Sequence, residues 1–493
     1  MTDTTAPKLT FRTWLIIIIA SIGFLFDTYQ LLMTPLAGPQ AISELLKVPL
    51  SNPAVSKTMG ELLWMTALCG GVFGLLGGWL IDRLGRKSVM AIGIYIYSLS
   101  PVFGAFAHTL NEFIFWRCVT FVGVCIEFVA AITWMSEVFS DKVQRERLLG
   151  ITQAFASLGG VIVTMVNFYI IAHAKDWHHL GMPVVPGQAG PASWRYLLLS
   201  GILPAIPIAL MLPFVPESRI WREKKDAGTL KRPSFLELFS PGLRRATLVT
   251  AGLSACAYGV AFGCLQQTPG RIAPGLPNLA EQRAALLPLV AQSKQLNAAF
   301  DATQPGTPER AAAMGPLKAN AAKQKPLMDQ VKEVGSRTQG YQETGGLIGR
   351  IVLALLIVAG ISRRAILRIL QIPGLIILPV TYLVLYKQDA NVFVWGMAAA
   401  GFVTTSQFSF LGEYLPKVFP LHLRGTGGSF ATNVGGRMIG TGAAFVTPML
   451  ATHFTGSPYQ QMAQAAGWLG LGIVILGVIL GFCLPEPTDE HFD

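Results

Sequence analysis

The stretch Gly78-Trp79-Leu80-Ile81-Asp82-Arg83-Leu84-Gly85-Arg86-Lys87 decides the fold, because it places a dense charge cluster directly after a long apolar run. Gly78 allows two helices to approach closely, since it carries no side chain. Asp82 stands near a helix end, where its carboxylate can pair with Arg83, with Arg86 or with a neighbouring helix terminus. We expect the cluster to hold one end of a helix bundle shut in one state and to release it in another; its members are Gly78, Asp82, Arg83, Gly85 and Arg86.

The chain as a whole is far more apolar than a soluble protein. Of its 493 residues, 52% are hydrophobic and 13% are charged, and the mean hydropathy is +0.49. The charged share is about half that of a typical soluble domain. The net charge of +11 comes from basic residues between apolar runs, which indicates membrane topology and not nucleic-acid binding. The six cysteines lie in apolar stretches without metal-ligand spacing, so we expect no metal site, no disulfide framework and no cofactor.

Twelve apolar stretches are each long enough to cross a hydrocarbon core about 30 Å thick. They should be helical, because a chain in lipid has to satisfy its own backbone hydrogen bonds. We therefore predict an all-α membrane protein. Its spans 1 to 12 are predicted, in order, at residues 12–35, 58–81, 89–108, 111–138, 149–172, 195–214, 246–267, 342–361, 364–386, 392–412, 427–450 and 463–484.

Lysine and arginine are unevenly distributed over the short connections between these spans. They concentrate on the side of the N-terminus, whereas only four lie in the short connections of the other side, namely Lys47, Lys57, Lys175 and Lys387. Such an excess marks the cytoplasmic face of a membrane. We expect a multi-pass protein of the plasma (inner) membrane with both termini in the cytoplasm.

Two long interruptions divide the chain. The basic segment 215–245 separates six spans from six, which predicts an N-terminal six-helix bundle over 1–214, a cytoplasmic linker and a C-terminal six-helix bundle over 246–493. The second interruption, 268–341, has apolar residues at helical spacing, with Gln304-Pro305-Gly306 near a turn, and predicts an external helical hairpin. The sequence names no partner for this hairpin. A solvated cap and a lid or partner-binding element both remain open.

The two halves repeat each other. Gly150–Gly160 has the sequence GITQAFASLGG and Gly425–Gly435 has GTGGSFATNVG. At an offset of 275 residues, four positions are identical: Gly150, Phe155, Ala156 and Gly160. A repeat of six spans preserves the direction of each span. We therefore predict parallel repeats, an arrangement found in one large class of membrane transporters.

The 78–87 stretch, G-x-x-x-D-R-x-G-R-K, resembles the signature loop of the major facilitator superfamily. Motifs over nearly the whole chain except 268–341 resemble its sugar-porter branch. They are Arg117 with Glu137 in span 4, Gln266-Gln267 in span 7, Pro216-Glu217-Ser218-Arg219-Ile220-Trp221 after span 6, and Glu413-Tyr414-Leu415-Pro416 after span 10. Two further motifs, Arg424-Gly425-Thr426-Gly427 and Gly436-Arg437, are similar to organic-acid/proton symporters.

The chain departs from the sugar-porter pattern at two places. Phe121 stands where that branch has the first glycine after the span 4 arginine, and no Gly-Pro-x-x-Trp precedes Glu413. The resemblance nevertheless implies that the charge cluster of 78–87 works with further gating residues, which are Glu137, Arg145, Glu217, Glu413 and Arg424.

The resemblance implies two six-helix bundles that rock around a central site by alternating access. We expect a secondary active transporter that carries out proton-coupled symport of a sugar or sugar derivative, and the alternative is proton symport of an organic acid anion. A non-transporting sensor on the same fold also remains open. The sequence contains no G-x-S-x-G, H-E-x-x-H or G-x4-G-K-[ST] motif, so we expect no enzyme. The expected partners are a small-molecule substrate, protons and the lipid bilayer.

Five charged residues stand out inside the predicted spans, where a charge near the bilayer centre costs at least ~2.5–3.5 kcal/mol and so indicates function; they are Asp27, Arg117, Glu127, Arg350 and Arg437. Arg117 and Glu127 lie about 15 Å apart along span 4 and cannot pair with each other. In proton-coupled relatives an Asp of span 1 beside an Arg of span 4 carries the coupling proton. The resemblance implies such a pair for Asp27 and Arg117, and a permanent structural ion pair is the alternative. Glu127 is a second proton site, an acceptor for substrate hydroxyls or a helix–helix bond.

Amide side chains supply most of the candidate substrate site, because an amide both donates and accepts hydrogen bonds. In sugar porters such paired glutamines, here Gln266 and Gln267, bind sugar hydroxyls. Arg350 and Arg437 either neutralise an anionic substrate or serve the structure. The full candidate set for substrate binding is Gln30, Glu127, Gln266, Gln267, Arg350, Trp395, Gln407, Asn433 and Arg437.

Overall fold

The computed structural model of the chain describes residues 11–48, 50, 52–138, 142–174, 177, 180–184, 190–203, 205–215, 217–218, 222–223, 226–227, 234–303, 307–419 and 423–485. All regular secondary structure in this part of the chain is helical. Helical segments occupy all twelve predicted span positions, so the prediction of an all-α fold is confirmed.

The first five spans are single helices, whereas the sixth is interrupted. Spans 1 to 5 are Phe11–Leu46, Pro53–Leu84, Arg86–Ala105, Leu110–Val138 and Lys142–His173. Span 6 consists of Ser193–Leu199, a 3-10 turn and Ala205–Met211. Proline lacks a backbone N–H, and the proline-rich sequence of span 6 accounts for its interruption.

The second half contains three spans with local changes of helix type. Span 7 is Arg244–Gly263 and continues through a 3-10 turn into Thr268–Arg271. Span 9 consists of Arg363–Gln371, Gly374–Pro379 and the π-helical turn Val380–Val384. Span 11 consists of Arg424–Ser429, a π-helix Phe430–Ile439 and, after a 3-10 turn, Ala443–Ala451. The uninterrupted spans 8, 10 and 12 are Pro308–Val358, Ala390–Val418 and Pro458–Phe482.

Eight of these segments in the described part of the chain are long and apolar enough to cross a membrane, judged by length and composition: spans 1 to 4, 7 to 9 and 12. Span 5 contributes a shorter apolar helix, Leu158–His173. The chain therefore has the apolar helices of a multi-pass integral membrane protein.

The interruption after span 7 forms the predicted helical hairpin. Its first arm is Ala280–Asp301, and its second arm is the beginning of span 8. The side chains of Asn320 and Gln324 both donate to the Leu289 carbonyl and to the Ser293 hydroxyl, at 2.7–2.9 Å. These four hydrogen bonds join the two arms.

Two features of this hairpin differ from the prediction. Span 8 does not begin near residue 342, because one helix of 51 residues runs from Pro308 to Val358 and includes the second arm. The first residues of the interruption are not a solvated cap. Ile272, Ala273 and Leu276 are fully buried in an apolar cluster that includes residues of spans 7, 9, 10 and 12. Apolar spacing alone did not separate this buried stretch from the hairpin arms.

Corresponding spans of the two halves pack in the same way. A Cβ atom on Gly159 of span 5 would lie 1.8 Å from the Leu25 carbonyl oxygen of span 1. A Cβ atom on Gly435 of span 11 would lie 2.2 Å from the Ala251 carbonyl oxygen of span 7. Only glycine permits such backbone contact. The shared geometry agrees with the predicted parallel repeat.

The two halves contact each other through span 2 with span 11 and span 5 with span 8. We call the end of the bundle that carries residues 82–87 the loop end, and the opposite end the far end. The division at 1–214, 215–245 and 246–493 stays a prediction.

Candidate functional site

Arg437 lies at the centre of a buried charged cluster between the two halves. It belongs to the π-helix of span 11, and its electrostatic partners include Asp27 of span 1 and Glu127 of span 4. Its Nη1 donates to Asn433 Oδ1 at 2.7 Å, and its guanidinium lies over the Phe128 ring at 5.2 Å. π-helical turns within α-helices are frequent at functional sites. The second half therefore inserts a cation among acids of the first half.

The acids of this cluster have few other partners. Glu127 is 0% exposed, and neither of its carboxyl oxygens has a hydrogen-bond partner. Oδ1 of Asp27 and the hydroxyl of Tyr97 are also buried without a partner. Burying an ionised carboxylate costs several kcal/mol unless a cation or hydrogen-bond donors compensate. Arg437 is a cation that acts electrostatically on both carboxyl groups.

Arg117 does not form the pair that the resemblance implied. Its Nη2 donates to the Gln30 carbonyl oxygen at 2.8 Å and to Thr34 Oγ1 at 2.5 Å. These partners lie three and seven residues beyond Asp27, and neither Asp27 nor Arg117 has the other among its electrostatic partners. The expected Asp27–Arg117 ion pair is therefore wrong for this structure. Arg437 faces Asp27 instead.

Glu343 is a further buried acid that the sequence analysis missed. It is 4% exposed in span 8, and a Cβ atom on Gly160 of span 5 would lie 2.5 Å from its Oε2. Its Oε1 accepts from Gln342 Nε2 at 2.9 Å, and Arg350 is its cationic neighbour. Arg350 thus faces an acid of its own helix. Glu343 was overlooked because it lies at the predicted boundary between the hairpin and span 8.

Several candidate amides are already engaged by the protein. Gln267 Nε2 donates to the Phe262 carbonyl at 2.7 Å, and its Oε1 accepts from Arg271. Gln407 Nε2 donates to the Val403 carbonyl at 3.0 Å, and its Oε1 accepts from Gln371 at 3.3 Å.

Other candidate amides keep one open position. Gln30 Nε2 donates to the Gly201 carbonyl at 2.9 Å. The Oε1 atoms of Gln30 and Gln266 are buried without a partner, so each can accept one hydrogen bond from a bound solute. Asn433 is engaged at both ends: its Oδ1 accepts from Arg437 at 2.7 Å and its Nδ2 donates to Ser429 Oγ at 2.9 Å.

Trp395 does not belong to the site. It is 67% exposed on the outer face of span 10, where its ring meets the edge of Tyr341 at 5.2 Å. Helical periodicity places it on the side opposite to the buried residues of that span. The structure therefore corrects the prediction that Trp395 binds substrate, because its aromatic side chain contributes to the outer surface.

At the loop end, Glu217 binds the start of span 3. Its Oε1 accepts from the backbone N–H groups of Arg86 and Lys87 at 2.9 and 3.1 Å. A carboxylate at a helix N-terminus satisfies free N–H groups and the helix dipole. Gly85, with φ of 91°, forms the turn between spans 2 and 3. The structure thus brings three predicted gating residues, Gly85, Arg86 and Glu217, together.

The second half has its own charged contact at the corresponding position. Glu413 Oε1 accepts from Arg363 Nη2 at 2.8 Å and also binds Lys417. The remaining predicted gating positions lie in helices, but their side chains fall outside the described part of the structure; they are Gly78, Asp82, Arg83, Glu137, Arg145 and Arg424.

Polar contacts join the two halves towards the far end. Asn167 Nδ2 of span 5 donates to Ser336 Oγ of span 8 at 2.5 Å, and Gln339 Nε2 donates to the Leu32 carbonyl of span 1 at 3.3 Å. Arg271, beyond span 7, donates to Ser56 of span 2. Such contacts between halves hold this end closed.

Among the described residues, no group of three or more His, Cys, Asp or Glu side chains is placed to hold a metal ion. The site as described consists of carboxyl, guanidinium and amide groups. Groups of these kinds can exchange protons, form ion pairs and make hydrogen bonds.

Comparisons with known proteins agree with this architecture. A probable 4-methylmuconolactone transporter of Cupriavidus pinatubonensis is 25% identical over 418 residues, which cover 83% of this chain and 78% of that protein. The arabinose-proton symporter of Bacillus subtilis is 24% identical over 40% of this chain and 46% of that protein. A crystal structure of a D-xylose-proton symporter superimposes with a TM-score of 0.61 at 17% identity, over 96% of this chain and 98% of that chain. This structural likeness shows the shared fold.

The family is shown by a match over more than half of the sequence. The model of the Major Facilitator Superfamily matches residues 10–287. The match includes the 78–87 stretch, the acids Asp27 and Glu127, and all of spans 1 to 7. The chain belongs to the Major Facilitator Superfamily of transporters.

Proposed function

We propose that this protein is a proton-coupled symporter that carries a small polar solute across the plasma (inner) membrane by alternating access. The observation that carries the proposal is Arg437 of the second half facing Asp27 and Glu127 of the first. The arginine and the two acids belong to bundles that have to move relative to each other during transport.

The coupling follows from this division of charge. While the two halves are in contact around Arg437, its positive charge compensates the negative charge of the Asp27 and Glu127 carboxylates. When they separate, Asp27 and Glu127 lose their cation in a site with few hydrogen-bond donors, and proton binding replaces the lost charge. Proton binding and the change of state thereby favour each other.

The far end is the closed end in this arrangement. We propose that the bundles are residues 1–214 and 246–493, joined by the cytoplasmic linker 215–245, and that both termini are cytoplasmic. The far end then faces outward, and the Glu217 and Glu413 contacts brace the cytoplasmic ends of the two bundles.

Two classes of solute have support. A sugar or sugar derivative is supported by the open Oε1 atoms of Gln30 and Gln266, which can accept from hydroxyl groups, and by the named substrate of the arabinose-proton symporter. An organic acid anion is supported by buried arginines, and by relatives named as transporters of 4-methylmuconolactone and of cis,cis-muconate.

The proposal is tested by substrate-evoked currents in proteoliposomes on a solid-supported membrane. The panel pairs neutral sugars with small carboxylates, and the variants are Asp27→Asn and Glu127→Gln. Glu61→Gln is the matched control, because Glu61 is a partly exposed acid of span 2 that pairs with Lys57. For a neutral solute, or for a carboxylate carried with more protons than it has negative charges, we expect an inward current in wild type and in Glu61→Gln that is lost in the other two. Unchanged currents in both variants would contradict proton coupling through these acids.

A further inference from the structure

Arg271 is a buried cation whose partners are all neutral. It is 4% exposed at the end of the helical extension of span 7. Its guanidinium donates to Ser56 Oγ, to Gln267 Oε1 and to Met462 Sδ. Among the described residues no carboxylate pairs with it or contributes to its electrostatic environment. A buried charge is ordinarily paired, so this guanidinium lacks the counter-charge that its surroundings call for.

The edge of the guanidinium that faces the other half is the edge that binds carboxylates. Ser56 Oγ accepts from both Nε and Nη2 of Arg271, with the Nε bond at 2.9 Å. Nε and Nη2 form a planar fork that matches the two oxygens of a carboxylate. One hydroxyl oxygen now occupies this fork and supplies no charge. A carboxylate would supply two oxygens and the missing negative charge.

The position of Arg271 connects it to the proposed pathway. Gly270, its neighbour, packs against Pro39 of span 1, and Ser56 belongs to span 2, so both contacts cross between the halves. Gln267, one of the paired glutamines, accepts a hydrogen bond from the Arg271 guanidinium. The other, Gln266, has a buried Oε1 without a partner. When the far end opens, the Ser56 contact has to break. The Nε and Nη2 donors of Arg271 then become available to another acceptor.

We propose that Arg271 recognises the carboxylate of an organic acid substrate and that Ser56 occupies its binding edge while the far end is closed. This inference rests on the proposed transport function and names the substrate class of the same pathway. Exchange of Ser56 for a substrate carboxylate couples arrival of the anion to opening of the far end. A neutral solute leaves the cation unpaired and is disfavoured.

The test is counterflow exchange in proteoliposomes, which needs no proton gradient. The probes are matched pairs that differ in charge, nicotinate with nicotinamide and benzoate with benzamide, together with cis,cis-muconate and D-xylose. The variants are Arg271→Gln and Arg271→Lys. Arg283→Gln is the matched control, because Arg283 lies twelve residues further on and donates to the backbone carbonyls of Pro274 and Leu276. Thermal unfolding in detergent verifies that each variant is folded.

We expect wild type to exchange at least one carboxylate and not its neutral partner. Arg271→Gln should raise the KM for that carboxylate about 10- to 100-fold, the usual range for one charge-assisted contact, and Arg271→Lys should recover part of the loss. Arg283→Gln should keep the wild-type KM. Exchange of sugars alone, exchange of no carboxylate, or an unchanged carboxylate KM in folded Arg271→Gln would overturn the assignment. If carboxylate exchange is intact but proton-driven uptake is absent, the result contradicts the proposed proton coupling and leaves the assignment of Arg271 standing.

Discussion

Arg437 of span 11 faces Asp27 of span 1 across the boundary between the two halves of the molecule. Asn433, one turn earlier on the same helix, orients the guanidinium through a 2.7 Å hydrogen bond. The relationship places the cation and the acid on the two halves that the proposed alternating access would separate. It is the physical basis of the coupling proposed above.

Replacing Arg437 by Gln should destabilise the protein because Asp27 and Glu127 lose their cation. A buried carboxylate that loses its compensating cation typically costs several kcal/mol of stability. The double variant Arg437→Gln with Asp27→Asn should recover part of that loss, since it removes one unpaired acid. Thermal unfolding of the purified protein at one pH measures both. A double variant less stable than Arg437→Gln would contradict the assigned contact.

A disulfide across the far end should stop transport. Asn167 and Ser336 are hydrogen-bonded across the two halves, so cysteines at both positions lie close enough to attempt a bridge. Oxidised Asn167→Cys with Ser336→Cys should lose uptake, and reductant should restore it. The native cysteines are first replaced, and each single variant serves as a control. Full uptake by the cross-linked protein would contradict opening at this end.

Gly159 should not tolerate a side chain. A Cβ atom there would lie 1.8 Å from the Leu25 carbonyl oxygen, so Gly159→Ala forces span 5 away from span 1. We expect a loss of about 1–3 kcal/mol of stability and reduced uptake. Gly472→Ala of span 12 is the matched control, because nothing lies within 4 Å of its added Cβ. Equal melting temperatures for the two variants would be inconsistent with the packing.

Removal of the Glu217 carboxylate should weaken the start of span 3. Glu217→Ala leaves two backbone N–H groups, those of Arg86 and Lys87, without this acceptor and should cost about 1–2 kcal/mol. Glu217→Gln keeps a carbonyl acceptor and should lose less. Denaturant unfolding compares the two variants. An Ala variant as stable as wild type would exclude a capping role.

The revised substrate site predicts opposite outcomes for two candidates. Trp395→Ala should leave the KM for substrate within about twofold of wild type, because the ring lies on the outer surface. Gln266→Leu should raise the KM about tenfold, since it removes a buried oxygen with an open acceptor position. Radiolabelled uptake measures both. A larger effect for Trp395→Ala than for Gln266→Leu would restore the tryptophan to the site.

The sequence predicted the helical fold well because each span is encoded locally. A run of about 20 apolar residues is a strong signal, and the helices lie where those runs occur. Boundaries set by tertiary packing were less predictable. Residues 308–341 contain polar and charged side chains, so nothing local indicated that they continue span 8 as one helix.

The sequence identified residues of the candidate site but not which of them interact with each other. Asp27, Glu127 and Arg437 were identified because charges in apolar spans are expensive. Which arginine interacts with Asp27 depends on how span 11 packs against spans 1 and 4. A single sequence does not contain this packing. Glu343 and Arg271 were missed for a related reason. Both lie at the edges of the 268–341 interruption, which hid their burial.

Proton coupling through Asp27 is tested by the number of protons moved per substrate molecule. Proteoliposomes with an internal pH dye and a labelled substrate report both fluxes at once, for wild type and for Asp27→Asn. Wild type should show a fixed nonzero ratio, and the variant should show counterflow exchange without any proton flux. The same proton-to-substrate ratio in Asp27→Asn as in wild type would contradict the account.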